Sequence, residues 1–166
     1  RTPRAYTPRH LAERILTSRS ALEGERKQVT VLFADIAGST ELSNRLGLEA
    51  WHSLLDAWFR IVADAVHRFE GTINQFTGDG VLALFGLKTD PATACRQALR
   101  AASLIEANIA HLNHQFATEI GEPVRYGIGI HAGEVIIGDI GFRGRTVFTA
   151  LGDSVNVAAR LQDMTK

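Results

Sequence analysis

The sequence predicts an α/β sandwich, with helices packed on one sheet. Three observations lead there. The chain has 166 residues, of which 45% are hydrophobic and 22% charged; that is one domain's worth of sequence, with enough apolar content to bury a core. Short β-branched apolar runs are mixed with longer segments whose apolar residues recur at helical spacing. Glycine-bearing turns punctuate the two kinds of segment.

The elements follow in order. Residues 1–27 are basic and polar. Leu11, Ile15 and Leu22, with Ser18 between them, fall on a 4-3-4 seam, the spacing of a short coiled-coil-like helix. Pro8 suits the first turn of that helix and Gly24 its end. This segment reads either as a frayed linker or as a signalling helix that couples an upstream region to a domain at 28–166. Gln28-Val-Thr-Val-Leu-Phe-Ala-Asp-Ile36 is a buried strand. Gly38-Ser39-Thr40 is a tight turn with capping residues that opens a helix. A longer helix fits residues 48–69, with Leu48, Trp51, Leu55, Trp58, Val62, Ala65 and Phe69 on one face. The two tryptophans therefore read as core or interface rather than as a base-stacking box.

Residues 72–76 and 81–85 read as two short strands joined by Thr77-Gly78-Asp79-Gly80, since Asp-Gly is a strong hairpin signal. A helix fits 91–113, burying Cys95, Leu99, Ala102, Ile109 and Leu112. Residues 124–131 and 134–140 read as two further strands. Gly141-Phe-Arg-Gly-Arg145 is a flexible connection, 147–151 a short strand, and 154–164 a last helix.

Composition excludes several classes. Eighteen basic residues balance eighteen acidic ones, which argues against nucleic acid as a partner. A single cysteine, Cys95, permits neither an internal disulfide nor a Cys-based zinc site. No apolar run reaches the length of a membrane span and no signal peptide is visible. The chain begins at Arg1 and stops at Lys166 just after a helical pattern, and reads as a piece of something longer.

The chemistry concentrates at a few places. Asp35 ends a buried strand and precedes a Gly/Ser/Thr turn, and backbone N–H groups at such a helix start bind phosphate. Asp79 sits at a hairpin tip between Gly78 and Gly80, where small neighbours let a polyanion approach closely. The two carboxylates together suit one or two hard cations such as Mg²⁺ or Mn²⁺; by spacing alone, an Asp-Gly turn is also simply a turn. Asn156 and Arg160 are four apart and share a helix face. They fit either a grip on a phosphoryl group and a ribose or a solvated face. Arg143 and Arg145 lie in the glycine-containing loop, where solubility is the other explanation.

Taken together these residues resemble one family. Phe33-Ala-Asp-Ile-Ala-Gly-Ser-Thr40 is similar to the FxDIxGFT-type segment of class III nucleotidyl cyclases. Phe76-Thr-Gly-Asp-Gly80 resembles their second metal-Asp hairpin. Gly127-Ile-Gly-Ile-His-Ala-Gly-Glu-Val135 resembles the GI(H)xGxV strand, and Leu151-Gly-Asp-Ser-Val-Asn-Val-Ala-Ala-Arg-Leu161 the GDxVNxAxR helix. Order and spacing agree over residues 28–164.

The resemblance implies a ferredoxin-like, palm-type sheet with helices packed on it, in a cyclase homology domain that works as a head-to-tail homodimer with shared active sites. Family members usually continue past the last helix into further strands, which would lie beyond Lys166. Asp35, the Ile36 carbonyl position and Asp79 would hold two Mg²⁺ or Mn²⁺ ions per site. Ala37, Gly38, Ser39 and Thr40 would cradle the triphosphate with Arg145, or with Arg143 given the variable loop. Asn156 and Arg160 of the other chain would orient the ribose and stabilise the transition state. Gln75 and Thr149 fall at the two purine-reading positions.

Thr149 resembles the bacterial class IIIb adenylate cyclases, whereas Gln75 is neither the Lys nor the Glu usual at its place. An amide both donates and accepts, so it pairs with either purine edge. The expected substrate is ATP, with GTP as the alternative, and the expected product cyclic AMP. The rival within the family is a degenerate module that binds nucleotide without turnover. Other rivals lack their marks. The GGDEF hairpin is absent, no GxxxxGK[ST] occurs, and His111 and His114 lack a matching Glu for a metal site. A cytoplasmic location, and an upstream sensor or membrane region in the parent protein, complete the expectation.

Overall fold

The structure is a computed structural model and describes residues 25–139, 148–151 and 153–165. The 1–24 stretch with Leu11, Ile15 and Leu22, and the loop carrying Arg143 and Arg145, lie outside the described residues.

The chain runs β1 (Glu25–Ile36), α1 (Ser39–Leu46), α2 (Leu48–Arg68), β2 (Thr72–Thr77), β3 (Gly80–Phe85), α3 (Pro91–Gln115), α4 (Ala117–Ile120), β4 (Tyr126–Asp139), β5 (Phe148–Leu151) and α5 (Asp153–Met164). The strands form a five-stranded sheet in the order β2-β3-β1-β4-β5, and every neighbouring pair is antiparallel.

β1 is the central strand, and both of its faces are covered. Leu32, Ala34 and Ile36 join a core with Leu54, Trp58, Val62 and Val66 of α2 and Ala98, Ala101 and Ile105 of α3. Val29 and Val31, of the opposite parity, pack with Leu82, Leu84, Val135 and Ala158. A strand buried on both sides needs a continuous apolar run, since successive side chains point to opposite faces. The expected sandwich of helices on one sheet is what forms. α2 and α3 cover one face, while α5 packs across β4 and β1 on the other.

The expected face of α2 is the observed one, with Trp58, Val62 and Ala65 buried and Trp51, Leu55 and Phe69 packed against the core; its end residue Leu48 is the exception, and in α3 the buried stripe is shifted from the expected one. In α2, Leu54, Trp58, Phe59, Val62, Ala63, Ala65 and Val66 are buried, and Leu48 is 88% exposed. In α3 the buried stripe is Ala94, Ala98, Ala101, Ile105, Ile109 and Leu112, and Leu99 is 59% exposed. The alanines let α3 approach the sheet closely. Gly86 lies so near Ala94 that a Cβ there would come within 2.9 Å of the alanine's methyl. A bulky side chain on that line would force the helix away.

The strands expected at 124–131 and 134–140 are one strand. β4 pairs with β1 without interruption from Glu25↔Ile137 to Ile36↔Tyr126, and that long ladder carries it through Ala132 and Gly133. Two glycines of β4 have a job that periodicity does not reveal. A Cβ on Gly127 would come within 2.9 Å of the Gln162 and Thr165 side chains, and a Cβ on Gly129 would run into the Ala158 carbonyl. Both are bare so that α5 can lie directly on the strand.

Candidate active site

Asp35 stands near the end of β1, half-buried. Asp79 occupies the turn between β2 and β3, whose register closes at Thr77↔Gly80. Gly78 there has φ +64°, a left-handed conformation that glycine adopts without strain. The hairpin is locked from below. The fully buried Trp58 donates its indole N–H to the Asp79 carbonyl oxygen at 2.9 Å. The same ring lies 5.9 Å from that of Tyr126, which pairs with Ile36 at the end of β1. One tryptophan thus fixes both elements that carry the carboxylates. Its place on the buried face was legible in the sequence; the hydrogen bond to the hairpin was not, because it spans two elements.

The structure brings the two carboxylates together. Burial pushes the Asp79 carboxyl up from 3.8 to about 6, and the neighbouring Asp35, through a hydrogen bond and its charge, pushes the same way; the Ser39 hydroxyl pulls back. Like charges in a partly buried site cannot both ionise cheaply. Among the described residues nothing donates a hydrogen bond to the buried Asp79 Oδ2, and such an orphan is costly unless it is paired. Two close carboxylates, one with an unsatisfied oxygen, fit a divalent cation with hard oxygen preference. Among the described residues no group of three or more His, Cys, Asp or Glu surrounds a metal position. The described residues thus offer a cation two carboxylates and main-chain carbonyls. The Ile36 side chain is in the core, so only its carbonyl is available to a cation.

A pH dependence follows. The folded, metal-free protein holds the Asp79 proton more tightly than the unfolded chain does. The stability this contributes is present in full below 3.8 and is lost as pH rises through about 6. A cation reverses the sign, because it favours the ionised pair. Mn²⁺ should therefore raise the melting temperature clearly above pH 6 and little below pH 4. In Asp79→Asn it should have little effect at either pH. An equal Mn²⁺ response in that variant would contradict the pair's role.

The turn after Asp35 is built for close approach. Gly38 has φ +64°, and a Cβ there would meet nothing within 4 Å, so space above the turn is open. Among the described residues no side chain caps the N-terminus of α1, which leaves its first-turn N–H groups, at Ser39 and Thr40, without a capping side chain. Ala37, Gly38, Ser39 and Thr40 are thus contiguous with Asp35.

The other expected residues lie elsewhere on the chain. Asn156 and Arg160 are exposed on α5, on the side away from Ala158 and Gln162, which contact β4. Among the described residues, no hydrogen bond or ion pair connects them to the two aspartates. Gln75 is exposed on β2, immediately after an irregularity in the β2–β3 register. Thr149 pairs through its backbone with Gly138. β2 and β5 stand at opposite ends of the sheet order, yet they approach each other, which brings the strands of Gln75 and Thr149 to one side of the molecule. Among the described residues no helix is long and apolar enough to cross a membrane.

Residues 23–166 match the family of adenylate and guanylate cyclase catalytic domains. The uncharacterized protein Rv1318c of Mycobacterium tuberculosis is 37% identical over 161 residues, 97% of this chain and 28% of the relative. The chain thus spans little more than a quarter of the curated relatives it matches. Among solved structures, the guanylyl cyclase Cya2 is similar at 33% identity and a TM-score of 0.79, over 87% of this chain and 73% of that one. The adenylyl cyclase CyaB from P. aeruginosa is similar at 32% identity and a TM-score of 0.81, over 87% of this chain and 76% of that one.

Proposed function

The chain belongs to the adenylate and guanylate cyclase catalytic domain family, and from that premise we propose that it converts ATP to 3′,5′-cyclic AMP and pyrophosphate, as the output domain of a longer signalling protein. The observation that carries the reading is the Asp35–Asp79 pair, with its raised carboxyl and buried, unsatisfied Oδ2, beside the open turn Ala37–Thr40.

Nucleophile and electrophile are already in one molecule, so the protein's work is to orient and to neutralise. Asp35, Asp79 and the Ile36 carbonyl would hold two Mg²⁺ or Mn²⁺ ions, which when bound make the ribose 3′-hydroxyl more acidic and screen the leaving pyrophosphate. The N–H groups of the turn Ala37–Thr40 hold the triphosphate in place, aided by Arg145. Asn156 orients the ribose and Arg160 faces the charge that develops at the α-phosphorus. Both are exposed on α5, without a described contact to the aspartates of their own chain. This supports a head-to-tail homodimer in which each site takes its aspartates from one chain and Asn156 and Arg160 from the other. The domain works in the cytoplasm, where nucleoside triphosphates are, under control of an upstream sensor or membrane region.

Gln75 and Thr149 read the purine. Thr149 supports ATP. GTP is the second reading, because the amide of Gln75 pairs with either purine edge and one of the similar solved structures is a guanylyl cyclase. A site that discriminates through one adaptable amide selects less sharply than one that leaves a buried charge unpaired against the wrong base. Gln75→Lys should therefore raise the ATP-over-GTP ratio of kcat/KM by about tenfold. An unchanged ratio would show that Gln75 does not read the base. Incubation with ATP or GTP and Mn²⁺, with separation of the products, tests the whole reading. Cyclic AMP above an Asp35→Ala blank supports it, cyclic GMP alone moves the substrate to GTP, and no cyclic product from folded dimer leaves a nucleotide-binding module.

A further inference from the structure

α1 carries the turn proposed to hold the triphosphate, yet none of its side chains is fully buried. Leu42 and Leu46 are only partly covered. A helix of eight residues is too short to hold its own geometry in water, so something outside it must fix its position. The connection from α4 into β4 does so at both ends. Ahead of the helix, the Ala37 N–H donates to the Arg125 carbonyl oxygen at 2.8 Å. In its last turn, the Arg45 guanidinium donates to the Ile120 carbonyl oxygen at 3.0 Å and stands 3.5 Å from a Glu122 carboxylate oxygen.

The connection is itself firmly seated. Ile120 and Val124 are 6% and 5% exposed, and the Val124 N–H donates to Asn113 Oδ1 of α3 at 2.7 Å. Force on α3 or on the exposed turn around Gly121 and Glu122 therefore reaches the triphosphate turn through two short links.

We propose that residues 120–125 form a brace that sets the position of α1, and that Arg45 is the positioning residue through which the brace holds the triphosphate turn. Arg45 touches neither substrate nor metal; it acts through Ile120 and Glu122. The bond to the Ile120 carbonyl carries most of the effect. Glu122 is 65% exposed and Arg45 49% exposed, and an ion pair so open to water contributes little. The kinetic consequence rests on the cyclase reading, whereas the structural consequence does not.

The test compares Arg45→Ala, Arg45→Lys and the control Arg60→Ala, which removes an exposed ion pair with Asp56 on α2. Two readouts are taken: KM and kcat for ATP with Mn²⁺, and hydrogen exchange at the amides of Leu42 and Gly47, which close α1. The brace predicts about tenfold faster exchange at these two amides in Arg45→Ala, with β2 and β3 unchanged. It also predicts a KM raised by about tenfold and a smaller change in kcat. Lys at position 45 restores part of both by donating to Ile120, and Arg60→Ala matches the parent. Parent-like exchange in Arg45→Ala overturns the brace, whatever the activity. If exchange quickens throughout the molecule, Arg45→Lys decides: recovered protection of α1 supports the brace, and its absence overturns it. Faster α1 exchange in a protein without cyclase activity upholds the brace and counts against the proposed reaction alone.

Discussion

Asp79→Ala is expected to abolish cyclic nucleotide formation, by on the order of a thousandfold or more, while leaving the fold intact. The loss follows from the arithmetic of the proposed site, where two carboxylates would serve as the side-chain ligands and removing one would leave a single anionic anchor for divalent cations. The fold survives for two reasons visible in the structure. The bond that fixes the hairpin runs from Trp58 to the main-chain carbonyl of Asp79, which alanine keeps. The carboxylate itself is no asset to the metal-free fold, since among the described residues its buried Oδ2 has no partner and its charged form is disfavoured. Asp35→Ala should behave alike, because the β1 ladder on both sides is made by backbone groups. Product assays with Mn²⁺ beside a thermal melt check this. Activity near the parent level in either variant would remove the metal assignment, and a melt lowered by many degrees would mean that the pair is structural.

Mixing two inactive variants should restore activity. If each site takes its aspartates from one chain and Arg160 from the other, an Asp79→Ala chain paired with an Arg160→Ala chain concentrates both lesions in one site and leaves the second site whole. Random assortment makes half of the dimers mixed, each with one working site, so the mixture should reach about a quarter of the parental rate from near zero. Each variant alone stays inactive, since every site in its homodimer carries a lesion. The exposed position of Arg160 on α5 makes the exchange geometrically open. The check is a titration of one variant into the other, followed by product formation and by the mass of the assembly. Dimers that form without recovering activity would mean that each chain builds its own site.

How much of this was legible depends on how local each feature is. The strand at Asp35, the Asp79 hairpin and the helices α1, α2, α3 and α5 are written in apolar runs and turn residues that act over a few positions, whereas the four-residue α4 is too short to leave such a pattern. The face of α2 was read correctly except at its first residue, Leu48, whereas that of α3 was not: Leu99 looked like core because periodicity locates a stripe but not its phase. That phase is set by what the helix meets, and in α3 the alanines allow a close approach that larger residues would prevent. Glycine at 127 and 129 looked like part of a motif; its cause, α5 lying across β4, belongs to another element nearly thirty residues away in the chain.

By itself the sequence determined the order of elements apart from α4 and the unity of β4, the family resemblance and the choice of the two aspartates, because these depend on residue type, spacing and local turn chemistry. Only the tertiary structure decided that both faces of the sheet are covered and that β4 is one strand. It alone placed Trp58 beneath the hairpin and the 120–125 connection against both ends of α1. It also set the Asp79 carboxyl near 6, since burial and the neighbouring Asp35 exist only when the strands are assembled. The physical reason is common to all of these. Packing partners, dielectric surroundings and charge proximity are properties of segments distant in sequence, and no local pattern encodes them.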